Sequence, residues 1–249
     1  MKRRIPSISR HSLPAFALVL GFVAAPLSVH ANSVRQVSPA LCTDMKAHHA
    51  MRPDAPVGCE RLVLVRFAYI GFEGQEHGDG ELVVLDALAD QVSAIFAELK
   101  ARRFPIAQAR LMNAYNGDDD ASMEANNTSA FNDRNVVGSN AMSTHAYGAA
   151  IDINPIQNPS YDRVNGVRVL VPKAGAPYAK RAPLRPGMAE SVIQIFAAHG
   201  FTVWGGRFRD ADYQHFAISR TLVRKLVRLP PAEARAVFNT FALEHGSQR

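Results

Sequence analysis

Ser143-Thr144-His145-Ala146-Tyr147-Gly148-Ala149-Ala150-Ile151-Asp152-Ile153-Asn154-Pro155 sets a histidine and an aspartate on either side of a glycine turn. Gly148 lets the backbone turn. Beyond it, strand alternation puts Ala150 and Asp152 on one face and Ala149, Ile151 and Ile153 on the other. A carboxylate is thereby aimed out of a sheet whose reverse face is apolar. Such a carboxylate needs a partner, and a divalent cation shared with His145 would satisfy it.

One His and one Asp seven residues apart are ambiguous, because a histidine beside a turn is commonly a hydrogen-bonded core or surface residue. The segment Asp212-Tyr213-Gln214-His215-Phe216 supplies what is missing. His215 precedes the apolar run Phe216-Ala217-Ile218, so a strand over Tyr213 to Ile218 can project it from the same sheet. His, Asp and His form a common open zinc shell with water in the fourth position. Strict alternation would turn Asp212 away from the face of His215, so a turn or bulge is expected between them.

The N-terminus reads as a targeting segment. Lys2, Arg3 and Arg4 precede an apolar stretch from Leu13 to Val29, and Val29-His30-Ala31 is a small-x-small cleavage pattern, so residues 1–31 are expected to be a secretory signal rather than a retained anchor. Residues 32–249 are then one domain, exported to the periplasm or secreted. The whole chain carries 28 basic and 22 acidic residues, net +6, but the signal holds four of the bases and no acid, so the mature charge is only +2. That excludes a nucleic-acid reading built on charge. In an oxidising compartment the only cysteines, Cys42 and Cys59, are expected to form a disulfide.

The remaining elements follow from pattern. Asn32 to Gly58 is proline-punctuated and reads as a loop-rich lead-in. Arg61 to Phe72 reads as a strand, Gly71 to Gly80 as a turn region, Leu82 to Arg103 as a helix and Ile106 to Tyr115 as a second strand. Asn116 to Ser139 reads as a long polar loop with Asp118-Asp119-Asp120 at a solvated tip. Asn158 to Arg185 reads as loop-like with a short strand or hairpin arm at Val167 to Val171, Pro186 to His199 as a helix closed by Gly200, Phe201 to Trp204 as a strand, and Pro231 to His245 as a closing helix.

Taken together, Ser143-x-His145-x-x-Gly148-x-Ala150-x-Asp152 and Asp212-x-x-His215-Phe216 resemble the M15 family of zinc peptidases, the D-alanyl-D-alanine carboxypeptidase and L-alanyl-D-glutamate endopeptidase group. The likeness spans about Ser129 to Phe216, with Trp204-Gly205-Gly206 similar to the segment before the family's second motif. It implies an α+β fold with a small antiparallel sheet carrying the zinc site between helices, of hedgehog/DD-peptidase type. It also implies Zn2+ held by His145, Asp152 and His215, with Asp212 as general base and zinc-activated water as nucleophile. Many members have glutamate at the base; aspartate resembles the endopeptidase-like branch and is shorter by one methylene.

By the same resemblance Arg134 helps bind substrate or stabilises the oxyanion, although its context, Ser129-Ala130-Phe131-Asn132-Asp133-Arg134, matches loosely. The bland alternative is a surface arginine paired with Asp133. Ser143 is expected to hydrogen-bond near the site rather than attack, and Trp204 to be core or cleft wall. The implied partner is the peptidoglycan stem peptide, with no nucleic acid, no stable membrane insertion after signal cleavage, and a monomeric enzyme. The rival reading is a non-catalytic, zinc-stabilised module that binds the cell wall.

Overall fold

A computed structural model describes Met1 and residues 32–246. The expected signal at 1–31 lies outside the described residues, Met1 apart. The chain is a mixed α+β structure built on several small sheets. β1 (Ser33–Gln36) leads into α1 (Pro39–Ala47), which Ser38 caps by accepting a hydrogen bond from the Leu41 amide. The lead-in is thus more ordered than its prolines suggest, because Pro39 sits at the first helical position, where a missing N–H costs nothing. Cys42 of α1 is bonded to Cys59, just before β2 (Leu62–Ile70).

β2 pairs antiparallel with β1 and with β3 (Glu76–Leu85). The expected helix from Leu82 is corrected here: Leu82 to Leu85 finish β3, a 3₁₀ turn covers Asp86–Leu88, and the helix α2 spans Ala89–Ala101. Val84 and Leu88 fit a helical period by coincidence; the adjacent pair Val83-Val84, stiff at χ1, favours the strand. Within α2, Val92, Ile95, Phe96 and Leu99 form the buried stripe, and Phe96 stacks on Phe67 of β2 with ring centroids 3.8 Å apart.

The second expected strand shrinks to β4 (Gln108–Ala109), followed by a 3₁₀ turn at Met112–Tyr115. The long polar loop is also corrected: it contains α3 (Asp119–Glu124) and β5 (Asn127–Thr128), which pairs parallel with β4. Asp118 caps α3 by accepting from the Ala121 amide at 3.0 Å.

The sheet that concerns function is small: β6 (Ala150–Asp152), β10 (His215–Ala217) and β9 (Val203–Trp204), in the order β6-β10-β9. A hairpin of β7 (Ser160–Val164) and β8 (Val167–Val171) stands beside it. The expected helix at Pro186 to His199 is a 3₁₀ turn at Ala189–Ser191 and then α4 (Ile193–Ala198). Phe196 of α4 stacks on Phe216 of β10 at 3.9 Å, covering the apolar reverse of the sheet. β10 also begins two residues later than expected, at His215. α5 (Arg220–Leu226) follows directly, and α6 (Pro231–Gly246) closes the chain, with Phe238 edge-on to Phe201.

Two features tie the functional sheet to the rest. The Leu85 amide donates to the Gly148 carbonyl at 2.9 Å, and Gly148 has φ +62°. A Cβ there would lie 2.6 Å from the Leu85 nitrogen, so the position requires glycine both for conformation and for space. Gly148→Ala is expected to lower the unfolding free energy by about 2 kcal/mol or more, read by denaturant melts. Breaking the disulfide through Cys42→Ala with Cys59→Ala should cost about 3 kcal/mol in the same assay, since it releases a loop of 17 residues' separation in the unfolded chain.

Candidate metal centre and cleft

His145 lies in a 3₁₀ turn, Thr144–Tyr147, capped by Ser143, whose Oγ accepts from the His145 amide at 3.2 Å. The His145 Nδ1–H donates to the Ala130 carbonyl at 2.6 Å, which fixes the ring and leaves Nε2 facing the sheet. Asp152 ends β6 and is held on both edges: Ser129 exchanges both backbone hydrogen bonds with it, at 2.9 and 3.0 Å, and His215 is its register partner on β10. Residues directly opposite on paired strands share a face, so Asp152 and His215 meet by register alone.

The three donors converge. His145 Nε2 is 3.1 Å from His215 Nδ1 and 3.2 Å from Asp152 Oδ2, and His215 Nδ1 is 3.1 Å from Asp152 Oδ1. With its Nδ1 proton committed to Ala130, a neutral His145 offers a lone pair at Nε2, and the Asp152 carboxylate offers only acceptors. Acceptors packed this closely require a shared proton or a cation between them. Tetrahedral zinc with bonds of about 2.0–2.1 Å spaces its ligand atoms about 3.3–3.4 Å apart, so two imidazoles and one carboxylate at these separations fit the ion with a few tenths of an ångström of relaxation.

The electrostatics agree with a site built for positive charge. Burial would raise the Asp152 carboxyl, but the two imidazoles outweigh it and hold the group far below the ordinary carboxylate range. Burial would lower His215, and the hydrogen bond and charge of Asp152 reverse that, raising it. In the metal-free protein His215 therefore stabilises the fold below about pH 6.5, its ordinary value, and that contribution is lost as pH rises through the raised value. NMR titration of metal-free protein should show the His215 imidazolium persisting above the usual histidine range and dropping once Asp152→Asn leaves burial to dominate.

Asp212 occupies the expected irregular position. Its backbone bridges to Ser160, and the turn at Tyr213-Gln214 separates it from β10, so strand alternation does not apply between Asp212 and His215. Gly205 permits this approach: its carbonyl accepts from the Asp212 amide at 3.0 Å, and a Cβ on it would lie 2.4 Å from the Asp212 carbonyl oxygen. Trp204 braces the turn by donating Nε1–H to the Tyr213 carbonyl at 3.0 Å. The Asp212 Oδ1 is buried without a hydrogen-bond partner among the described residues. Burial first, and the Asp152 charge second, push its carboxyl up to about 6.

Arg134 does not pair with Asp133, and the bland reading of it is corrected. Asp133 is fully buried and bound three times by Arg52, through the backbone N at 3.0 Å, Nε at 3.1 Å and Nη2 at 2.8 Å. Arg134 instead turns into a cavity of about 640 Å³ that is also lined by His145, Asp152, Asp212 and His215, and its Nη2 lies 2.7 Å from Asp119 Oδ2. The solvated-tip reading of the acidic run is corrected at that residue. Three neighbouring aspartates have three fates: Asp118 caps α3, Asp119 faces the cavity, and Asp120 is exposed. The cavity's other walls include Val136, Val137 and Phe208, all exposed, and Asp162 of the β7–β8 hairpin, none of which the sequence singled out. For Asp119 a signal existed, because an aspartate cap at Asp118 implies a helix whose first turn carries its successor out of the tip.

Residues 137–218, about a third of the chain, match the family model described as D-alanyl-D-alanine carboxypeptidase. The matched span contains His145, Asp152, Asp212 and His215, whereas Arg134 and Asp119 precede it. No curated protein and no solved structure matches the chain.

Proposed function

We propose that the protein is an exported, single-domain zinc peptidase that hydrolyses peptide bonds in peptidoglycan stem peptides, as a D,D-carboxypeptidase or an L-Ala–D-Glu-type endopeptidase. The observation that carries this reading is a buried, partnerless carboxylate oxygen on Asp212, a residue that lines the same cavity as three convergent metal-type donors. A site serving only to stabilise the fold would have no use for an unsatisfied buried acceptor, which costs about 1–3 kcal/mol. The family match points the same way.

His145 through Nε2, His215 through Nδ1 and Asp152 through its carboxylate would hold the metal. Zinc, when bound, supplies a Lewis acid that polarises the scissile carbonyl and acidifies water. Asp212 accepts the proton of the attacking water and delivers it to the leaving amine. Arg134 binds a substrate carboxylate beside the scissile bond. The cavity volume lies within the range of about 300–1,000 Å³ usual for small-molecule sites and suits a short peptide segment. The disulfide supports export, and none of the described helices is long and apolar enough to cross a membrane.

His145→Ala and His215→Ala should each lose zinc by elemental analysis and lose muropeptide cleavage by mass spectrometry. Asp212→Asn should keep zinc and lose about 10²–10⁴-fold in kcat; cleavage by Asp212→Asn at the wild-type rate would refute the assignment. Loss of a terminal D-alanine marks the carboxypeptidase, and a cut within the stem marks the endopeptidase. Because Asp212 must be deprotonated to act, kcat/KM should rise with pH along an acidic limb. A bound cation draws the carboxyl down from its metal-free value, so that limb should lie at or below about pH 6.

A further inference from the structure

Asp119 has no structural duty that would explain its place. The N-terminus of α3 is already capped by Asp118, and the Asp119 carboxylate turns instead into the cavity, 2.7 Å from Arg134 Nη2. The Arg134 backbone is fixed independently, because its carbonyl accepts from the Ser143 amide at 3.0 Å and its neighbour Asp133 is clasped by Arg52. The remaining freedom lies in the side chain. Its Nη1 has only a long contact, 3.4 Å, to the Asn135 carbonyl, and its Nε is buried without a partner among the described residues.

The acids whose charge raises Arg134 are Asp119, Asp152 and Asp212, and Asp162 across the cavity also feels the arginine, without an ion pair to it among the described contacts. Two of these are a metal-type donor and the carboxylate assigned as base. A guanidinium drawn to either would compete with the metal for Asp152 or neutralise Asp212. Asp119 is the one acid of the three whose engagement keeps the arginine in the cavity and off the reacting groups.

We propose that Asp119 is a positioning residue that holds the Arg134 guanidinium by one amino group, so that its remaining N–H donors face a substrate carboxylate. This rests on the peptidase reading for the identity of the substrate, but not for the act of binding. The preference it creates is for a free carboxylate over its amide, because only the charged group can take the fork-like pair of charge-assisted hydrogen bonds that arginine offers.

The test compares a stem tetrapeptide with a free C-terminal or D-glutamyl carboxylate against the same peptide amidated at that group. Cleavage is followed in the zinc-loaded enzyme, and binding is followed by calorimetry in the slowed Asp212→Asn variant. Asp119→Asn should raise KM and Kd for the free acid by about tenfold or more while leaving the amide unchanged. Asp119→Glu should restore part of the preference, and in an Arg134→Ala background Asp119→Asn should have no further effect. Equal losses on acid and amide, or an effect that persists without Arg134, would show a merely structural role and overturn the proposal. So would an Asp212→Asn protein that binds both peptides alike. If the wild type cleaves neither peptide yet the binding preference still depends on Asp119, the peptidase reading fails and this inference stands.

Discussion

The arrangement depends on a register of three residue pairs. Ala150, Ile151 and Asp152 lie opposite Ala217, Phe216 and His215, and this pairing puts one carboxylate and one imidazole on the same face while Ile151 and Phe216 go to the other. A slip of one residue would bury the polar pair under α4 and expose the apolar one. The stacking of Phe196 on Phe216 therefore does more than fill the core. It makes the wrong register costly, and so holds two donor atoms 3.1 Å apart without either having to be anchored by its own side-chain contacts.

The third donor is placed by a different device. His145 comes from a turn rather than a strand, and its ring orientation is set by the Ala130 carbonyl and its backbone by Gly148 against Leu85. The site thus joins the small sheet to the edge of the larger one. Around it, charges are kept from collapsing on one another by prior engagements: Asp133 by Arg52, Asp210 by Arg163 at 2.8 Å, and Arg134 by Asp119. Without the Asp119 pairing the cavity would hold a guanidinium free to satisfy the Asp152 carboxylate in place of a cation.

The donors were legible in the sequence because their spacing expresses a local pattern, a glycine turn followed by alternation, that the chain cannot rearrange. The turn between Asp212 and His215 was legible for the same reason, as a conflict with alternation that only an irregularity resolves. What escaped depends on long-range partners. Whether Arg134 pairs with Asp133 is decided by Arg52, 81 residues away from that aspartate, and nothing adjacent to Arg134 announces it. The helix expected from Leu82 failed on phase, since β3 ends in four buried residues that mimic one helical turn before the true helix begins. β5, two residues long, lies below the length at which a hydrophobic period can be read, whereas β4 and β9, equally short, fall inside the strands expected over Ile106 to Tyr115 and Phe201 to Trp204.

Apart from the contact between His145 and Asp152, the contacts that build the centre span longer stretches of chain: 70 residues between the histidines, 63 between Asp152 and His215, 15 between His145 and Ala130. The turn that carries His145 and the strand that carries Asp152 are local, but the centre is completed only when a long loop closes to bring in His215. The same distances limit how far the site can be treated as a transplantable piece. A fragment trimmed to residues 137–218 would keep the three donors and Asp212, yet leave behind the Ala130 carbonyl that fixes the His145 tautomer, the Leu85 amide that anchors its turn, and both members of the Asp119–Arg134 pair. The matched motif is carried by that fragment; the geometry that brings its three side chains together rests on residues outside it.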